Sequence, residues 1–476
     1  MDEILTVLPE MTLTGFACLV LLVDVFRGAR SAAVTFWAAV ISVLVVLVEI
    51  ALWFPEHTMN VFSGTFRLDA MSAVLKAFLM VIVLLTFFYA REYFSRRERP
   101  MTEFYILGLF ATIGMMVLIS AHSLLTVYLG LELMSLSLYA MVAMDRDSIP
   151  ASEAAMKYFV LGALASGMLL YGMSMLYGVG ETLDLGVLSE RTVAAEDRLM
   201  FTFGLVFVLI GIAFKLGVAP FHMWVPDVYQ GAPTPVTLFI GSATKLAAFA
   251  MAIRLLADGL GSLADDWRLM LILLAVTSIA LGNIVAIVQT NLKRMLAYST
   301  IAHMGFLLLG ILAANPIGYA ASMFYVIVYA LMSMGAFGCI ILLASATNES
   351  DQLQDFAGLA RRSPWLAFLM MVLMFSLAGV PPFAGFWGKW FVLKEVISAG
   401  YTWLAAVAVF FSIIGAYYYL RVVKLMYFDE PDAEVDAIHA TEDVRLIFNV
   451  NGITILLLGL LPGTLMSVCV SAMMSY

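Results

Sequence analysis

The chain is a succession of long apolar runs, and this feature limits its fold more than any other. Of the 476 residues, 63% are hydrophobic and only 12% are charged, whereas soluble domains carry about 25% charged residues. A helix of about 20 apolar residues crosses the hydrocarbon of a bilayer, where the backbone must satisfy its own hydrogen bonds. The sequence therefore predicts an all-α integral membrane protein.

About fourteen runs are long enough to act as transmembrane spans. Their predicted bounds are roughly 4–26, 32–54, 69–94, 103–121, 123–143, 152–179, 199–224, 234–258, 267–290, 296–314, 316–346, 364–397, 401–428 and 446–473. The shortest connections are Ala121-His122 and Asn315-Pro316. The N-terminus has no basic region typical of a signal peptide, so we expect the first run to be retained as a span.

Basic residues divide unequally between the two ends of the spans, which orients the chain. The connections after odd-numbered spans hold fourteen: Arg27, Arg30, Arg91, Arg96, Arg97, Arg99, Arg146, Lys293, Arg294, Arg361, Arg362, Arg421, Lys424 and Arg445. The connections after even-numbered spans hold five: Arg67, Arg191, Arg198, Arg254 and Arg268. Since cytoplasmic connections carry the excess of lysine and arginine, this pattern predicts an even span count with both termini outside.

Six of the eight lysines lie inside the apolar runs, whereas the seventeen arginines lie at their ends or between them. The six are Lys76, Lys157, Lys215, Lys245, Lys389 and Lys394. A charge in hydrocarbon costs several kcal/mol, so it is kept mainly where it faces protein or water. Lysine can lose its proton when desolvated, and arginine in practice cannot. This distribution is typical of a protein that moves protons.

One short sequence occurs twice at membrane depth. Gly217-Val-Ala-Pro-Phe221 lies in span 7 and Gly379-Val-Pro-Pro-Phe383 in span 12, and a tryptophan follows each, at Trp224 and Trp387. Proline breaks a helix, and such a break is tolerated in a membrane only where it lines a cavity or is buried in protein. The copies are five spans apart, so they run in opposite directions. Inverted halves with broken helices are common in secondary transporters, although a motif this short can also recur by chance.

This repeat predicts four segments along the chain. Residues 1–98 form three N-terminal helices, 99–262 a first repeat of spans 4–8, 263–430 an inverted second repeat of spans 9–13, and 431–476 a loop with span 14. Each five-helix repeat would contain one broken helix, span 7 or span 12.

Glu132 and Lys215 are the first candidate site residues. Glu132 is the only carboxylate deep inside span 5, and an unpaired carboxylate there would become protonated. Lys215 on span 7 is the natural partner that would keep it ionised. Weakening such a pair lowers the lysine pKa and releases a proton. A static ion pair that fixes helix packing is the alternative interpretation.

Three further lysines and a histidine extend this candidate site. Lys157 follows Glu153 by four residues, which also fits a local salt bridge. Lys245 lies in the middle of span 8, and Lys389 follows the second break. Hydrated gaps and polar residues such as Ser242, Thr244 and Ser376 would have to bridge these groups, because proton transfer needs hydrogen-bond reach or one water.

His222 follows Lys215 by two helical turns, and its ordinary pKa near 6.5 suits a proton relay. A hydrogen-bonded core histidine is the alternative for His222, and His303 fits a gate or a core group equally. Lys76 is expected to pair with Asp69 or with another helix, and Lys394 is expected to act only locally. Neither lysine is placed in the transport site.

Other classes of function are not indicated. Cys18, Cys339 and Cys469 lie far apart in apolar runs, without the spacing of a metal or iron–sulfur site. The net charge of −9 does not favour a nucleic-acid partner.

Three long motifs identify a family resemblance. Lys215-Leu-Gly-Val-Ala-Pro-Phe-His-Met-Trp-Val-Pro-Asp-Val-Tyr-Gln-Gly-Ala-Pro-Thr-Pro-Val236, Asn291-Leu-Lys-Arg-Met-Leu-Ala-Tyr-Ser-Thr-Ile-Ala-His-Met-Gly305 and Gly379-Val-Pro-Pro-Phe-Ala-Gly-Phe-Trp-Gly-Lys389 resemble signatures of the antiporter-like subunits of respiratory complex I. The resemblance covers essentially the whole chain. Among three paralogues, it favours the one without a long C-terminal lateral helix and with lysine in span 12. The first three helices favour a bacterial source, and hence the inner membrane with both termini on the periplasmic side.

The resemblance implies a role for each candidate residue. Glu132 and Lys215 would gate protonation as a pair, and Lys157 and Lys245 would be the additional lysines of the first half. The histidine after the first break would be His222. Near the exit path, the span 12 group would be Lys389.

The resemblance also implies cofactors and partners outside this chain. FMN, iron–sulfur clusters and quinone are expected in partner subunits, with no cofactor or metal site in this chain. The expected partners are a neighbouring antiporter-like subunit, small hydrophobic subunits and the lipid bilayer. The predicted function is proton translocation coupled to NADH:quinone oxidoreduction. The alternatives are a subunit of a multisubunit cation/proton antiporter and a purely structural membrane subunit.

Overall fold

The computed structural model describes residues 2–27, 32–97, 102–194, 198–346, 348–430 and 440–474. Arg30 and Arg99, used above for orientation, and residues 431–439 of the predicted last segment lie outside these ranges. The helices before the first break are α1 Asp2–Thr6, α2 Leu8–Arg27, α3 Ala32–Leu52, α4 Ala70–Arg96, α5 Thr102–Ile119, α6 Leu124–Val142, α7 Ile149–Gly180, α8 Leu185–Ala194 and α9 Arg198–Leu216. The later helices are α10 Trp224–Gly231, α11 Thr234–Ile253, α12 Ala264–Ala286, α13 Leu292–Ile311, α14 Pro316–Leu343, α15 Leu359–Arg362, α16 Pro364–Ala378, α17 Ala384–Ser398, α18 Thr402–Phe428, α19 Glu442–Leu460 and α20 Pro462–Met474.

Thirteen helices within the described ranges are long and apolar enough to cross a membrane. They correspond to all the predicted spans except span 12. The structure divides span 12 into α16 and α17, each of 15 residues, and neither alone reaches the length of about 20 residues that a crossing requires. The last predicted span bends at Pro462, which cannot continue the hydrogen bonding of α19. The prediction of an all-α membrane fold is confirmed.

The face reached by the connections after odd-numbered spans is called the inner face below, and the opposite one the outer face. On the outer side, α3 and α4 are joined by a short hairpin of β1 Met59–Val61 and β2 Phe66–Leu68, with Met59 opposite Leu68. Asp69 then caps α4 by accepting a hydrogen bond from the Ser72 amide. The hairpin therefore leads directly into the start of α4.

A fully buried ion pair ties the N-terminal helices to the first predicted repeat. The Arg254 side chain is 0% exposed and donates to both Asp69 oxygens, at 2.7 and 2.9 Å. Arg254 opens a π-helical turn, Arg254–Gly259, that follows α11. A bidentate arginine–carboxylate pair fixes both partners in one geometry, so this arginine lies at a span end but is not solvated.

Lys76 pairs with another helix rather than with Asp69. Its ammonium lies 2.5 Å from Glu10 of α2, and both side chains are buried. This contact links α2 to α4, outside both predicted repeats, whereas Lys394 is exposed. Both residues therefore lie apart from the site described below.

The two predicted repeats begin with similarly packed helix pairs. A side chain at Gly114 of α5 would lie 2.4 Å from the backbone nitrogen of Met134 on α6. In the second pair, one at Gly282 of α12 would lie 2.7 Å from the backbone nitrogen of Ala302 on α13. Small residues allow such close backbone approach between membrane helices. Each repeat thus starts from two helices in near backbone contact.

The centre of the molecule is the contact between α11 and α14. Every residue of α11 is buried, and α14 is buried along nearly its whole length. These helices pack on each other and on α4. Because α11 belongs to the first predicted repeat and α14 to the second, the two repeats meet in the most enclosed part of the protein.

The two repeated motifs form the same helix ending. Helix α9 ends at Leu216 before Gly217 (φ +78°), and α16 ends at Ala378 before Gly379 (φ +86°). The next amide, of Val218 or Val380, donates back to the carbonyl five residues earlier in each case. This is the Schellman arrangement, in which glycine adopts the left-handed conformation without a steric penalty. The peptide bonds before Pro220 and Pro382 are both cis.

Candidate functional site: lysines at two broken helices

Each broken helix ends against a lysine ammonium group. Lys245 donates to the carbonyl oxygen of Leu216, the last residue of α9, at 3.0 Å. Lys389 donates to the carbonyl oxygen of Ala378, the last residue of α16, at 2.8 Å. The carbonyl end of a helix carries a partial negative charge that favours a cation, so each break provides a site for a positive charge at membrane depth.

The two lysines occupy different positions in the repeat. The motifs are 162 residues apart, since 379 − 217 = 162. The counterpart of Lys389 in the first half is therefore Asp227, and the counterpart of Lys215 in the second half is Leu377. Lys245 lies on α11, the next membrane span, whereas Lys389 lies on α17, the second part of the broken span itself. In both halves an ammonium group donates to the last carbonyl of the broken helix, but it comes from a different helix in each.

Lys215 lies beside the first break but contacts a different group. Its ammonium donates to the Ser135 hydroxyl of α6 at 2.6 Å, and the lysine side chain is buried. Ser135 stands three residues after Glu132, whose carboxylate accepts a hydrogen bond from Ser166 of α7. Both acidic and basic groups are therefore held by serines on the first-repeat helices.

The direct Glu132–Lys215 ion pair expected from the sequence is not formed. Both residues lie within the described ranges, and their charged atoms are not within 4 Å of each other in the structure. The reason is local, because the Lys215 ammonium donates to Ser135 and the Glu132 carboxylate accepts from Ser166.

Aromatic rings separate Lys215 from Lys245. The Lys215 ammonium lies 5.8 Å from the centre of the Tyr139 ring, and the Lys245 ammonium lies 5.6 Å from that of Trp224. Tyr158 stacks on Trp224 at 4.6 Å and meets Tyr139 edge-on at 4.7 Å. Ring faces attract cations, so this cluster stabilises both ammonium groups without supplying a carboxylate.

Lys157 lies at the inner face and belongs to a chain of charges. Its side chain is 43% exposed, and its ammonium lies 2.7 Å from Glu153 and 2.7 Å from Asp227. Asp227 also accepts from Arg294 of α13 at 2.7 Å. Partial burial raises the pKa of Asp227, but Lys157 and Arg294 outweigh this effect and hold it below its ordinary value. The expected pair with Glu153 is therefore present, and it continues through Asp227 into the second repeat.

His222 lies in the segment that follows the first break, residues 217–223. It is half-buried, and its Nδ1 atom has no hydrogen-bond partner among the residues that the structure describes. The structure thus places His222 near the broken end of α9, with one ring nitrogen available for a further contact.

In the second half, Lys389 shares a small cavity with His303. The cavity is also lined by Ser412 and Tyr419, and the Lys389 ammonium donates to the Ser412 hydroxyl at 2.8 Å. The His303 ring nitrogens lie 2.6 Å from the Tyr325 hydroxyl and 3.0 Å from that of Tyr419. His303 is therefore part of the lysine's polar surroundings.

The polar residues expected to bridge the lysines are engaged elsewhere. Ser242 and Thr244 donate to carbonyl oxygens four residues earlier in their own helix, at 2.6 and 2.7 Å. Ser376 accepts from the Gly385 amide at 3.0 Å across the second break. Membrane helices often use serine and threonine in this way. The hydroxyls that do reach charged groups belong to Ser135, Ser166 and Ser412.

Asp227 is a charged residue of this site that the sequence did not predict. It is a carboxylate three residues after Trp224, within the first signature motif, and that position could have identified it. Among the described residues, no group of three or more His, Cys, Asp or Glu side chains is placed to hold a metal ion. The chemistry available to the described site is therefore that of ammonium, carboxylate, imidazole and hydroxyl groups.

Buried lysines on two broken membrane helices define the class of protein as an antiporter-type membrane subunit. Comparison with known proteins agrees with this class. Residues 121–415 match the family described as NADH:quinone oxidoreductase/Mrp antiporter, TM. This range includes both breaks and all six candidate site residues.

Sequence identity to individual relatives identifies the family within this class. The chain is 54% identical over 469 residues to NADH-quinone oxidoreductase subunit N of Thiobacillus denitrificans, covering 98% of this chain and 96% of that one. It is 52% identical over 473 residues to subunit N of Thioalkalivibrio sulfidiphilus, covering 99% and 98%. The chain belongs to the subunit N family of bacterial NADH-quinone oxidoreductases, which confirms the prediction from the three motifs.

Solved structures give the same fold. A chain of respiratory complex I from Thermus thermophilus superposes with a TM-score of 0.84 at 32% identity, covering 96% of this chain and 98% of that chain. A chain of the Mrp complex from Dietzia sp. superposes with a TM-score of 0.85 at 22% identity. The second likeness concerns the fold alone.

Proposed function

We propose that this chain is a proton-translocating subunit of a NADH:quinone oxidoreductase and that Glu132, Lys215, Lys245 and Lys389 carry the proton through it. The observation that supports this most directly is the placement of Lys245 and Lys389 on the carbonyl ends of two broken helices. An ammonium group held by neutral carbonyl and hydroxyl oxygens, without a carboxylate, keeps its charge only weakly in a low dielectric. A small change in the surrounding charge or hydration is then enough to release its proton.

Glu132 and Lys215 start this relay in the proposal. Serines hold their side chains apart, so either group can change its charge without first breaking a direct ion pair. A proton on Glu132 would weaken the attraction that keeps Lys215 charged. Lys215 would then pass its proton toward Lys245 at the same helix end, with water completing the path. Lys389, beside His303, lies toward the exit.

Lys157 and His222 have supporting roles in the proposal. Lys157 is held by Asp227 at the inner face, where it sets the electrostatic potential at the entrance. His222 lies beyond the first break and would exchange protons through its free nitrogen. The segments 1–98, 99–262, 263–430 and 431–476 are proposed as the N-terminal bundle, two inverted repeats and the last span.

FMN, iron–sulfur clusters and quinone would reside in partner subunits, and this chain would contact a neighbouring antiporter-like subunit and small hydrophobic subunits. Both termini would face the periplasm, as the excess of basic residues on the inner face favours. The relatives at 52–54% identity support complex I as the assembly. Copurification of flavin and iron–sulfur subunits separates this assembly from a multisubunit cation/proton antiporter.

The proposal is tested in membrane vesicles that contain the assembled complex. Glu132→Gln and Lys215→Met should each lower coupled NADH:quinone reductase activity and proton pumping at least tenfold, about 1.4 kcal/mol in the barrier, while the complex still assembles. Lys424→Met is the control, because this lysine is 67% exposed at the inner face and its ion pair within the described ranges is with Asp429. Normal pumping in both site variants would refute the relay, and full pumping in Lys245→Ala would favour a structural subunit.

A further inference from the structure

Glu349 is a carboxylate at the inner face that the relay described above does not use. It lies in the connection after α14, and its side chain is 35% exposed. One oxygen accepts from Thr234 of α11 at 2.6 Å, and the other lies 3.2 Å from Arg97 and accepts from the Tyr93 hydroxyl of α4. The carboxylate is thus partly exposed on one side and bonded to the ends of two central helices on the other.

A buried lysine lies behind this carboxylate. Lys293, in the first turn of α13, is only 1% exposed, and its ammonium donates to the Ala232 carbonyl oxygen at 2.8 Å. Burial raises the pKa of Glu349, but the charges of Lys293 and Arg97 and the bonds from Thr234 and Tyr93 hold it below its ordinary value. The two groups therefore form an electrostatically coupled acid and base at the entrance to α13.

Polar groups continue along the same face of α13 toward the middle of the membrane. Thr300 is two turns after Lys293 and His303 one turn further, which places them on one side of the helix. The Tyr329 hydroxyl of α14 donates to Thr300 at 2.7 Å, and its ring lies 5.1 Å from the His303 ring. His303 in turn shares the cavity with Lys389.

Two buried hydroxyls connect this face with Lys245. Those of Tyr229 and Ser333 form no well-aligned hydrogen bond among the described residues, and they interact with the hydroxyls of Thr300 and Tyr329, respectively. Both side chains lie against Gly241 of α11, within 3.5 Å of where its Cβ would stand, one helical turn before Lys245. Buried polar groups whose hydrogen bonding is incomplete are typical places for ordered water. The distance still to be bridged, from Lys293 to Thr300, is about 10 Å at 1.5 Å per residue.

We propose that Glu349 collects protons at the inner face and delivers them through Lys293 to the hydroxyl groups between Lys245 and His303. This inference rests on the proposed function and adds to it a proton-loading site. In the transfer, the Lys293 ammonium gives one proton to water or hydroxyl groups on the membrane side and becomes a neutral amine. Glu349 takes a proton from bulk water and passes it to that amine. One proton enters, and both groups regain their charges.

A purely structural role for Glu349, fastening the loop to α4 and α11, makes the opposite prediction about two substitutions. Glu349→Gln keeps the shape of the side chain and an oxygen acceptor but cannot exchange a proton. Glu349→Asp shortens the side chain but keeps its acid–base chemistry. A proton-loading residue tolerates aspartate better than glutamine, whereas a structural one tolerates glutamine at least as well.

The experiment measures vesicle acidification and NADH oxidation per assembled complex. We expect Glu349→Gln to lower the initial pumping rate at least threefold and Glu349→Asp to retain more than half of it. Glu92→Gln is the matched control, because Glu92 is also buried at the inner face but its partners among the described residues are Arg96 and Thr441, outside the proposed path. Wild-type pumping in Glu349→Gln, or glutamine performing at least as well as aspartate, would overturn the proposal.

A second variant keeps the proposal testable if a Glu349 variant does not assemble. Lys293→Arg retains the positive charge at the Ala232 carbonyl but cannot release a proton in practice. We expect it to pump at least threefold more slowly than the wild type, and normal pumping would overturn the proposal. Glu132→Gln is measured in the same vesicles. If it loses pumping while the Glu349 and Lys293 variants do not, only the loading site fails, whereas normal pumping throughout refutes the relay itself.

Discussion

The two broken spans differ in the origin of the ammonium group that binds the helix end. At the first break it comes from the next membrane span, and at the second it comes from the broken span itself. Lys245 reaches Leu216 from α11, and Lys389 reaches Ala378 from α17. The backbone of the two breaks is alike, with a left-handed glycine at the same place. The two halves therefore share the partly negative helix end, and the repeat does not fix which lysine binds it.

The two halves differ more in what surrounds the lysines. The first half contains Glu132 and the Lys157–Asp227 pair at the inner face, and it holds two buried lysines, Lys215 and Lys245, on either side of an aromatic cluster. Around Lys389, the hydrogen-bond partners are carbonyl and hydroxyl groups, with His303 across the cavity. The first half is therefore suited to changing charge by carboxylate–lysine attraction, and the second by hydroxyl and imidazole contacts.

The largest expected effect distinguishes the two glycines. Gly217→Ala and Gly379→Ala both force alanine into the left-handed region, which destabilises the backbone conformation by about 1–2 kcal/mol. The new methyl at 217 would lie 2.6 Å from the Val225 side chain, and the one at 379 would lie 2.9 Å from the Cδ of Lys389. Overpacking adds about 1–3 kcal/mol. We expect Gly217→Ala chiefly to reduce the amount of assembled complex and Gly379→Ala chiefly to reduce its activity.

Native gels and coupled activity per assembled complex separate these two outcomes. Gly178→Ala is the control, because its added methyl group meets no described residue within 4 Å beyond its own helical turn. If both glycine variants lose assembly and activity in the same proportion, the two breaks do not differ in the way proposed here.

A smaller effect on pumping is expected from the two serines that bind lysines, Ser135 in the first half and Ser412 in the second. Ser135→Ala removes the hydroxyl that binds Lys215, and a hydrogen bond to a charged group contributes about 1.5–3 kcal/mol. Ser412→Ala removes one partner of Lys389, which keeps the carbonyls of Leu377 and Ala378. We therefore expect pumping to fall about tenfold in Ser135→Ala and no more than about threefold in Ser412→Ala.

Ser137→Ala serves as the control for this comparison, because Ser137 lies on the same helix and donates to its own Leu133 carbonyl. Equal losses in the two site variants would mean that the carbonyls do not support Lys389. Initial pumping rates in vesicles, normalised to assembled complex, provide the measurement.

Much of the fold and part of the site could be predicted from the sequence. Both breaks were found because Gly and Pro recur in a fixed order, and the buried lysines were found because charge is rare in apolar runs. The partners were not found, because Leu216 and Ala378 act through backbone carbonyls, which every residue has. Serine is common in membrane helices, so nothing in the local sequence singles out Ser135 or Ser166. Which groups meet is decided by the packing of distant helices.

The smallest expected effect concerns stability in acid. It tests the carboxylate of Asp227, which stands in the first half where the second half has Lys389. Asp227, the counterpart of Lys389, has a pKa held below its ordinary value of about 3.9. Its stabilising contribution is therefore fully present above about pH 3.9 and is lost as the pH falls through the lower folded pKa. Asp227→Asn should lower the thermal midpoint of the solubilised complex slightly, by about 1 °C.

The difference in thermal midpoint between Asp227→Asn and the wild type should be constant from about pH 8 to 5 and shrink only below about pH 4. Asp265→Asn, at a carboxylate that is 92% exposed, should leave the midpoint unchanged. A difference between Asp227→Asn and the wild type that disappears already between about pH 7 and 5 would show that another group, with a higher pKa, controls this part of the inner face.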